Sequence, residues 1–189
     1  MKQAKLFGLD DNPAILTSLE YAKAEQVALQ VEAIVKPLCD KLKIVGSIRR
    51  KRPQIGDCDF VVLATDGNWM RILQTLKKSQ VICSGPSLIK VNYPAEGGLF
   101  QIDFYRATPQ TFGIQELIRT GSADHNMWLA GYAISKGCRL KYSTGLMKND
   151  VVVAGETEES VFSELGLPCP MPERREIADH KPQWLTSVT

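Results

Sequence analysis

The 189-residue sequence has no Cys-x-x-Cys pair, so its five cysteines, Cys39, Cys58, Cys83, Cys138 and Cys169, offer neither a zinc clip nor a redox couple. Odd in number and widely spaced, they are expected to be reduced and mostly buried. No apolar run approaches the roughly 18 residues that a bilayer-crossing helix needs, and residues 1–10 lack the apolar core of a secretion signal. The expectation is an intracellular protein, cytoplasmic in a bacterial or virus-infected cell, with no membrane partner. Internal repeats and low-complexity tracts are missing as well. Neither sign of charge dominates: 23 Lys and Arg against 21 Asp and Glu leave a net +2, which by itself does not indicate nucleic acid.

What the sequence does contain is an uneven distribution of that charge. Lys41, Lys43, Arg49, Arg50, Lys51 and Arg52 fall within twelve residues that hold no acid, so a local positive patch is expected. With 44% hydrophobic residues, the chain can bury a core as one domain or two small ones packed together. Apolar residues recur at helical spacing from Ile15 to Leu38, with Pro37 interrupting near the end. A short apolar segment at 44–48 breaks at Gly46-Ser47, a buried strand follows at 59–64, and then a helix over Asn68 to Lys77. Ile89 to Tyr93 and Leu99 to Tyr105 alternate around Glu96-Gly97-Gly98 and predict a hairpin. After Pro109 the pattern becomes helical over 110–118 and 123–136, broken at Thr120-Gly121-Ser122. A small β element turns near Asn149-Asp150, and a last helix, capped by Thr157, stops at Gly166. The order predicts an α+β unit followed by a smaller α/β unit, divided near Pro109.

The chemistry concentrates in "GSIRRKRPQIGDCDFVV", residues 46–62. Alternate side chains of a strand share a face, so Asp57 and Asp59 point together while Cys58 and Phe60 point the other way. In the later strand Phe100, Ile102 and Phe104 form one apolar face, leaving Asp103 on the opposite face with Gln101 and Tyr105. If the two strands are neighbours, three carboxylates converge, and each like-charged pair at about 4 Å costs on the order of 4 kcal/mol even at an effective dielectric of 20. Hard oxygen ligands on a rigid sheet suit Mg²⁺, which leaves positions open for substrate phosphates. Two such ions can activate an attacking oxygen and stabilise a leaving one. Gly46 and Ser47 at a strand end, with Arg49 or Arg50 beside them, offer donors to an anion. An isolated Asp-x-Asp is more often a solvated strand end; the phosphate cradle ten residues earlier is what favours a site.

These segments resemble the family X DNA polymerases, the DNA polymerase beta group, over about Ala14 to Glu176. The likeness rests on "GSIRR" followed by "GDCDFVV", on "LFQIDF", on "TGSADHN" beginning seventeen residues after Asp103, and on "VAGETEESVFSELGLPCPMPERRE". It implies an α+β fold in which a nucleotidyltransferase palm, a mixed sheet with helices, spans 14–109. A small α/β carboxy-terminal, nucleotide-selecting (thumb) domain spans 110–178, with tails at 1–13 and 179–189. It further implies that Asp57 and Asp59 bind two Mg²⁺ ions, for which Mn²⁺ can substitute, and that Asp103 binds the catalytic ion and helps activate a primer 3′-hydroxyl. Gly46, Ser47, Arg50 and the Gly56 backbone would hold the nucleotide's phosphates. Gly121 and Ser122, often joined by a cis peptide in the family, would face the sugar, and Asn126 the base.

Three departures carry expectations of their own. Family members usually add a lyase domain and a helix-hairpin-helix segment, and the residues before Ala14 are too few for either, so grip on DNA is expected to be weak or shared with a protein partner. Arginines that relatives place around the third acid are Gln101 and Tyr105 here. Ile118-Arg119 replaces the usual aromatic pair, which predicts tolerance of ribonucleotides. The activity implied is primer extension with nucleoside triphosphates on primer-template or gapped DNA, such as short-gap filling in DNA repair. The alternatives are nucleotidyl transfer to an RNA end, a small molecule or a protein, and a non-catalytic nucleic-acid-binding module.

Overall fold

A computed structural model describes residues 13–176. The tails expected at 1–13 and 179–189 lie outside the described residues, Pro13 excepted. In chain order the elements are β1 (Leu19–Glu20), α1 (Tyr21–Val35), β2 (Lys41–Ile44), α2 (Gly46–Arg49), β3 (Gln54–Ile55), β4 (Cys58–Leu63), α3 (Asp66–Thr75), β5 (Gln80–Ser84), β6 (Leu88–Ala95) and β7 (Gly98–Arg106). They continue with α4 (Phe112–Thr120), α5 (Ala123–Ser135), β8 (Cys138–Lys141), β9 (Gly145–Lys148), β10 (Val151–Ala154) and α6 (Glu158–Glu164). No helix among the described residues is long and apolar enough to cross a membrane.

A five-stranded sheet in the order β2-β4-β7-β6-β5 organises the first part. It is mixed: β4 and β7 run parallel, and the other neighbours are antiparallel. The period-two pattern separates its two faces. Cys58, Phe60 and Val62 join Phe100, Ile102 and Phe104 against α1 and α3, through Val27, Val31, Trp69 and Ile72, in one buried core. Phe60 and Phe104, paired in register, stack with centroids 5.2 Å apart. On the opposite face of β4, towards its end, Val61 packs with Val45, Ala107 and Phe112 at the start of α4. Asp57 and Asp59, nearer its beginning, stay uncovered by that helix.

A second core gathers Ile114 and Leu117 of α4, Leu129 and Ala133 of α5, Leu146 and Ala154 of the three-stranded sheet β10-β9-β8, and Val161 and Phe162 of α6. Gly113 lets α4 approach the α6 cap, because a Cβ there would overlap the Thr157 backbone. Thr157 caps α6 in a capping box with Ser160, and Gly166 follows at φ 69°, as the sequence pattern anticipates. Asn149 and Asp150 both take positive φ in the β9-β10 turn.

Other expectations shift. Leu16 and Leu19 fit helical spacing but are not helical: Ile15 bridges to Leu99, Leu19 pairs with Ile55, and α1 starts only at Tyr21. Helix α3 begins two residues earlier than the pattern indicates because the Thr65 hydroxyl accepts from the Asn68 N–H at 3.4 Å. Strand β5 carries no sequence signal strong enough to anticipate it, being an exposed edge along its whole length.

Candidate active site

The parallel register of β4 and β7 pairs Asp59 with Asp103. Asp57, two residues earlier on the same face, completes a group in which one oxygen from each carboxylate lies within 4.8 Å of the others. Asp57 and Asp59 are half-buried, and Asp103 is 1% exposed. Burial, then the charges of Asp57 and Asp103, pushes the Asp59 carboxyl up to about 7, with Arg119 and Lys90 pulling the other way. Asp57 is raised by burial and by Asp103. An all-oxygen set this close, already strained by its own charge, is the chemistry a hard divalent cation fits.

Asp103 is surrounded by the two residues that share its face and by a lysine from the next strand. Gln101 Nε2 donates to its Oδ1 at 3.0 Å, and the Tyr105 hydroxyl donates to its Oδ2 at 3.0 Å. The cation among its partners is Lys90, on β6 directly opposite Asp103 in register, whose ammonium forms an ion pair with Oδ2. Lys90 is legible in retrospect: counting back from the Glu96-Gly97 turn, Ala95 faces Gly98 and Lys90 therefore faces Asp103. Arg119 lays its guanidinium over the Tyr105 ring at 3.7 Å, so it borders the acids. Ile118 does not; its side chain is half-buried against the second core.

Gly46 and Ser47 open α2 immediately beside Asp59. Gly46 has φ 65°, and a Cβ there would overlap the Asp59 carboxylate, so both conformation and contact require glycine. Among the described residues the buried Ser47 hydroxyl oxygen has no hydrogen-bond partner, which marks a place for a further acceptor or donor. Gly56 is exposed just before the acid pair.

Residues 49–52 of the basic run are paired with acids rather than forming a free positive patch. Arg49 is bidentate to Glu158 at 2.9 and 2.7 Å, lies 3.1 Å from Glu116, and donates to Thr120 Oγ1 at 2.7 Å. Arg50 donates from Nε to Glu176 at 2.7 Å and from Nη1 to the Thr120 carbonyl. Lys51 pairs with Glu173 at 2.9 Å, and Arg52 reaches Glu176 at 3.6 Å. Arg175, fully buried, donates to both Glu158 oxygens at 2.5 and 3.2 Å. Burial alone would push Glu158 up, but the hydrogen bonds from Arg49 and Arg175 hold its carboxyl below the usual range. The acids that absorb the run arrive from 116, 158, 173 and 176, far away in sequence, which is why a local charge count misses them.

At the junction of α4 and α5 the Gly121–Ser122 peptide is cis, and Gly121 has φ 73° with Arg50 Nη1 only 3.1 Å from where a Cβ would sit. Ser122 caps α5, accepting from the His125 N–H at 3.3 Å and donating to the Arg175 carbonyl at 3.0 Å. Asn126 Nδ2 donates to the Ile118 carbonyl at 2.7 Å, tying the two helices together. Both side chains therefore brace the junction.

The raised Asp59 carboxyl has a consequence for stability. A group whose folded pKa lies above its unfolded value of about 3.9 stabilises the fold at low pH, and that contribution is lost as pH rises through about 7. In EDTA, wild-type protein is expected to lose stability between about pH 4 and pH 8 relative to Asp59→Asn, which has no charge to gain. Denaturant midpoints across that range test this; parallel curves for the two proteins would contradict it.

Residues 117–176 match the family model described as DNA polymerase beta thumb. No curated protein matches the chain. Among solved structures, polymerase beta of Leishmania infantum, in a ternary P/T complex, superposes with a TM-score of 0.72 at 21% identity, covering 85% of this chain and 77% of that one. At that identity the likeness speaks for the fold. The helices, mixed sheet and carboxy-terminal unit described above thus make up a family X polymerase-like α+β fold.

Proposed function

We propose that the chain is a DNA-directed nucleotidyltransferase of the polymerase beta type, adding nucleotides to a primer 3′-hydroxyl. The observation that carries the proposal is the convergence of Asp57, Asp59 and Asp103 beside Ser47, whose buried hydroxyl has no partner among the described residues. Nucleoside triphosphates and primer-template or gapped DNA are the partners this implies, with short-gap filling in repair as the use. In this reading residues 14–109 form the palm and 110–178 the nucleotide-selecting unit. Asp57 and Asp59 would hold two Mg²⁺ or Mn²⁺ ions, with Asp103 sharing one of them. Bound there, the ions supply charge neutralisation and a lowered pKa for the attacking hydroxyl.

The remaining work falls to the chain's own groups. Asp103, oriented by Gln101 and Tyr105, is the acceptor towards which a primer hydroxyl would be directed. The Ser47 hydroxyl, the backbone at Gly46 and Gly56, and the Arg50 guanidinium would bind the triphosphate, with Arg50 giving up its bond to Glu176 for phosphate oxygens. Gly121 offers the sugar a surface free of a side chain, held in place by the Ser122 cap and the Asn126 clasp. Asn126 would exchange the Ile118 carbonyl for the edge of the incoming base. Ile118 packs inward and Arg119 lies on Tyr105, so neither sets an aromatic ring against the sugar, and ribonucleotides belong among the proposed substrates.

Primer extension tests both levels of this reading. Asp59→Asn or Asp103→Asn is expected to cut turnover at least a hundredfold, about 2.7 kcal/mol, with the fold retained; near-normal turnover of either would overturn the assignment. On one primer-template, matched ribo- and deoxyribonucleotides are expected to differ by no more than about tenfold in kcat/KM. A preference for deoxyribose beyond about a thousandfold would refute the part assigned to Ile118 and Arg119.

A further inference from the structure

We propose that Lys90 is a positioning residue that guards the acidic triad: its ammonium holds Asp103 while no divalent cation is bound, competes with the cation for that carboxylate, and swings out as the site loads. The inference rests on the reading of the triad as a metal centre. Its basis is a difference in mobility between two paired groups. Asp103 is 1% exposed and lies on β7, between β4 and β6 in the sheet, so it cannot follow a departing partner. The Lys90 side chain is 29% exposed and ends in a flexible four-carbon stem, so solvent is within its reach.

The other groups around Asp103 allow this exchange. Gln101 satisfies Oδ1 and Tyr105 satisfies part of Oδ2, so the carboxylate keeps its orientation when the ammonium leaves, and Oδ2 regains an acceptor site. The other cations nearby are committed elsewhere: Arg50 to Glu176 and the Thr120 carbonyl, and Arg119 to the Tyr105 ring and, at 3.4 Å, to Gln115. Among the described residues, Lys90 is the cation that is ion-paired with a triad carboxylate while its side chain also reaches solvent. A guanidinium at the same position would clamp the carboxylate with a fork and release it less readily.

The competition has a sign that a merely structural lysine would not produce. Lys90→Met removes a positive charge from the site, so divalent affinity should rise about tenfold while the metal-free protein loses thermal stability. Lys90→Arg should bind no tighter than wild type. Mn²⁺ binding followed by electron paramagnetic resonance on the full chain, with melting in EDTA to check folding, measures both. Lys90→Gln gives a second neutral variant in case Lys90→Met does not fold. In a double-mutant cycle with Asp103→Asn, the tightening from Lys90→Met should disappear, because the competed carboxylate is gone. If wild type and the neutral variants all fail to bind Mn²⁺, the metal-centre reading falls and this inference with it. If wild type binds and the neutral variants bind equally or more weakly, the inference alone is wrong.

Discussion

Everything at the candidate site follows from one pairing, the in-register parallel alignment of β4 with β7 that sets Asp59 beside Asp103. The apolar sides of the same two strands enforce it. Phe60 and Phe104 stack on the core face, and a slip of one residue in either strand would turn that strand's phenylalanine out and its acid in. Hydrophobic burial on one face thus drives carboxylates together on the other, against their mutual repulsion. The rest of the neighbourhood answers that repulsion: Lys90, Gln101 and Tyr105 surround Asp103, and glycine at 46 keeps Asp59 free of a clash.

The basic run after Ser47 does a second job. Arg49 links α2 of the first core to Glu116 and Glu158 of the second, and Arg175 closes the cluster from the carboxy-terminal side. Removing one partner from such a buried group typically costs about 3–5 kcal/mol, because the other charge is left without compensation. The cluster thereby fixes the position of α4, whose end carries the Gly121–Ser122 junction, relative to the acids. The geometry of the candidate site and the joining of the two cores both draw on residues 46–59, so changes in that stretch will affect both.

Much of this was legible in the sequence for a physical reason: a strand buried on one face alternates strictly, so Asp57 and Asp59 could be assigned to one face of their strand and Asp103 to the polar face of its own, converging if the two strands were neighbours. The β6-β7 hairpin was legible because its turn residues are distinctive. What escaped was set by partners distant in the chain. Leu16 and Leu19 matched helical spacing, yet strand-like pairing with Leu99 and Ile55 decided their conformation. The local sequence reads Arg49, Lys51 and Arg52 as an unpaired positive patch, whereas acids from the far end of the chain pair with each of them. Strand β5, with Val81 and Ile82 exposed at an edge, lacks the one-sided burial that makes a strand readable.

The central claim is that the three acids and the Gly46-Ser47 turn form one site for a metal-bound triphosphate. The most direct test is a crystal structure of the protein with Mg²⁺ and a non-hydrolysable nucleoside triphosphate. The account predicts electron density for ions at Asp57 and Asp59, with Asp103 sharing one of them, and phosphate oxygens against the Ser47 hydroxyl and the Gly46 backbone. A triphosphate bound elsewhere, with the Lys90–Asp103 ion pair intact and no ion among the acids, would contradict it.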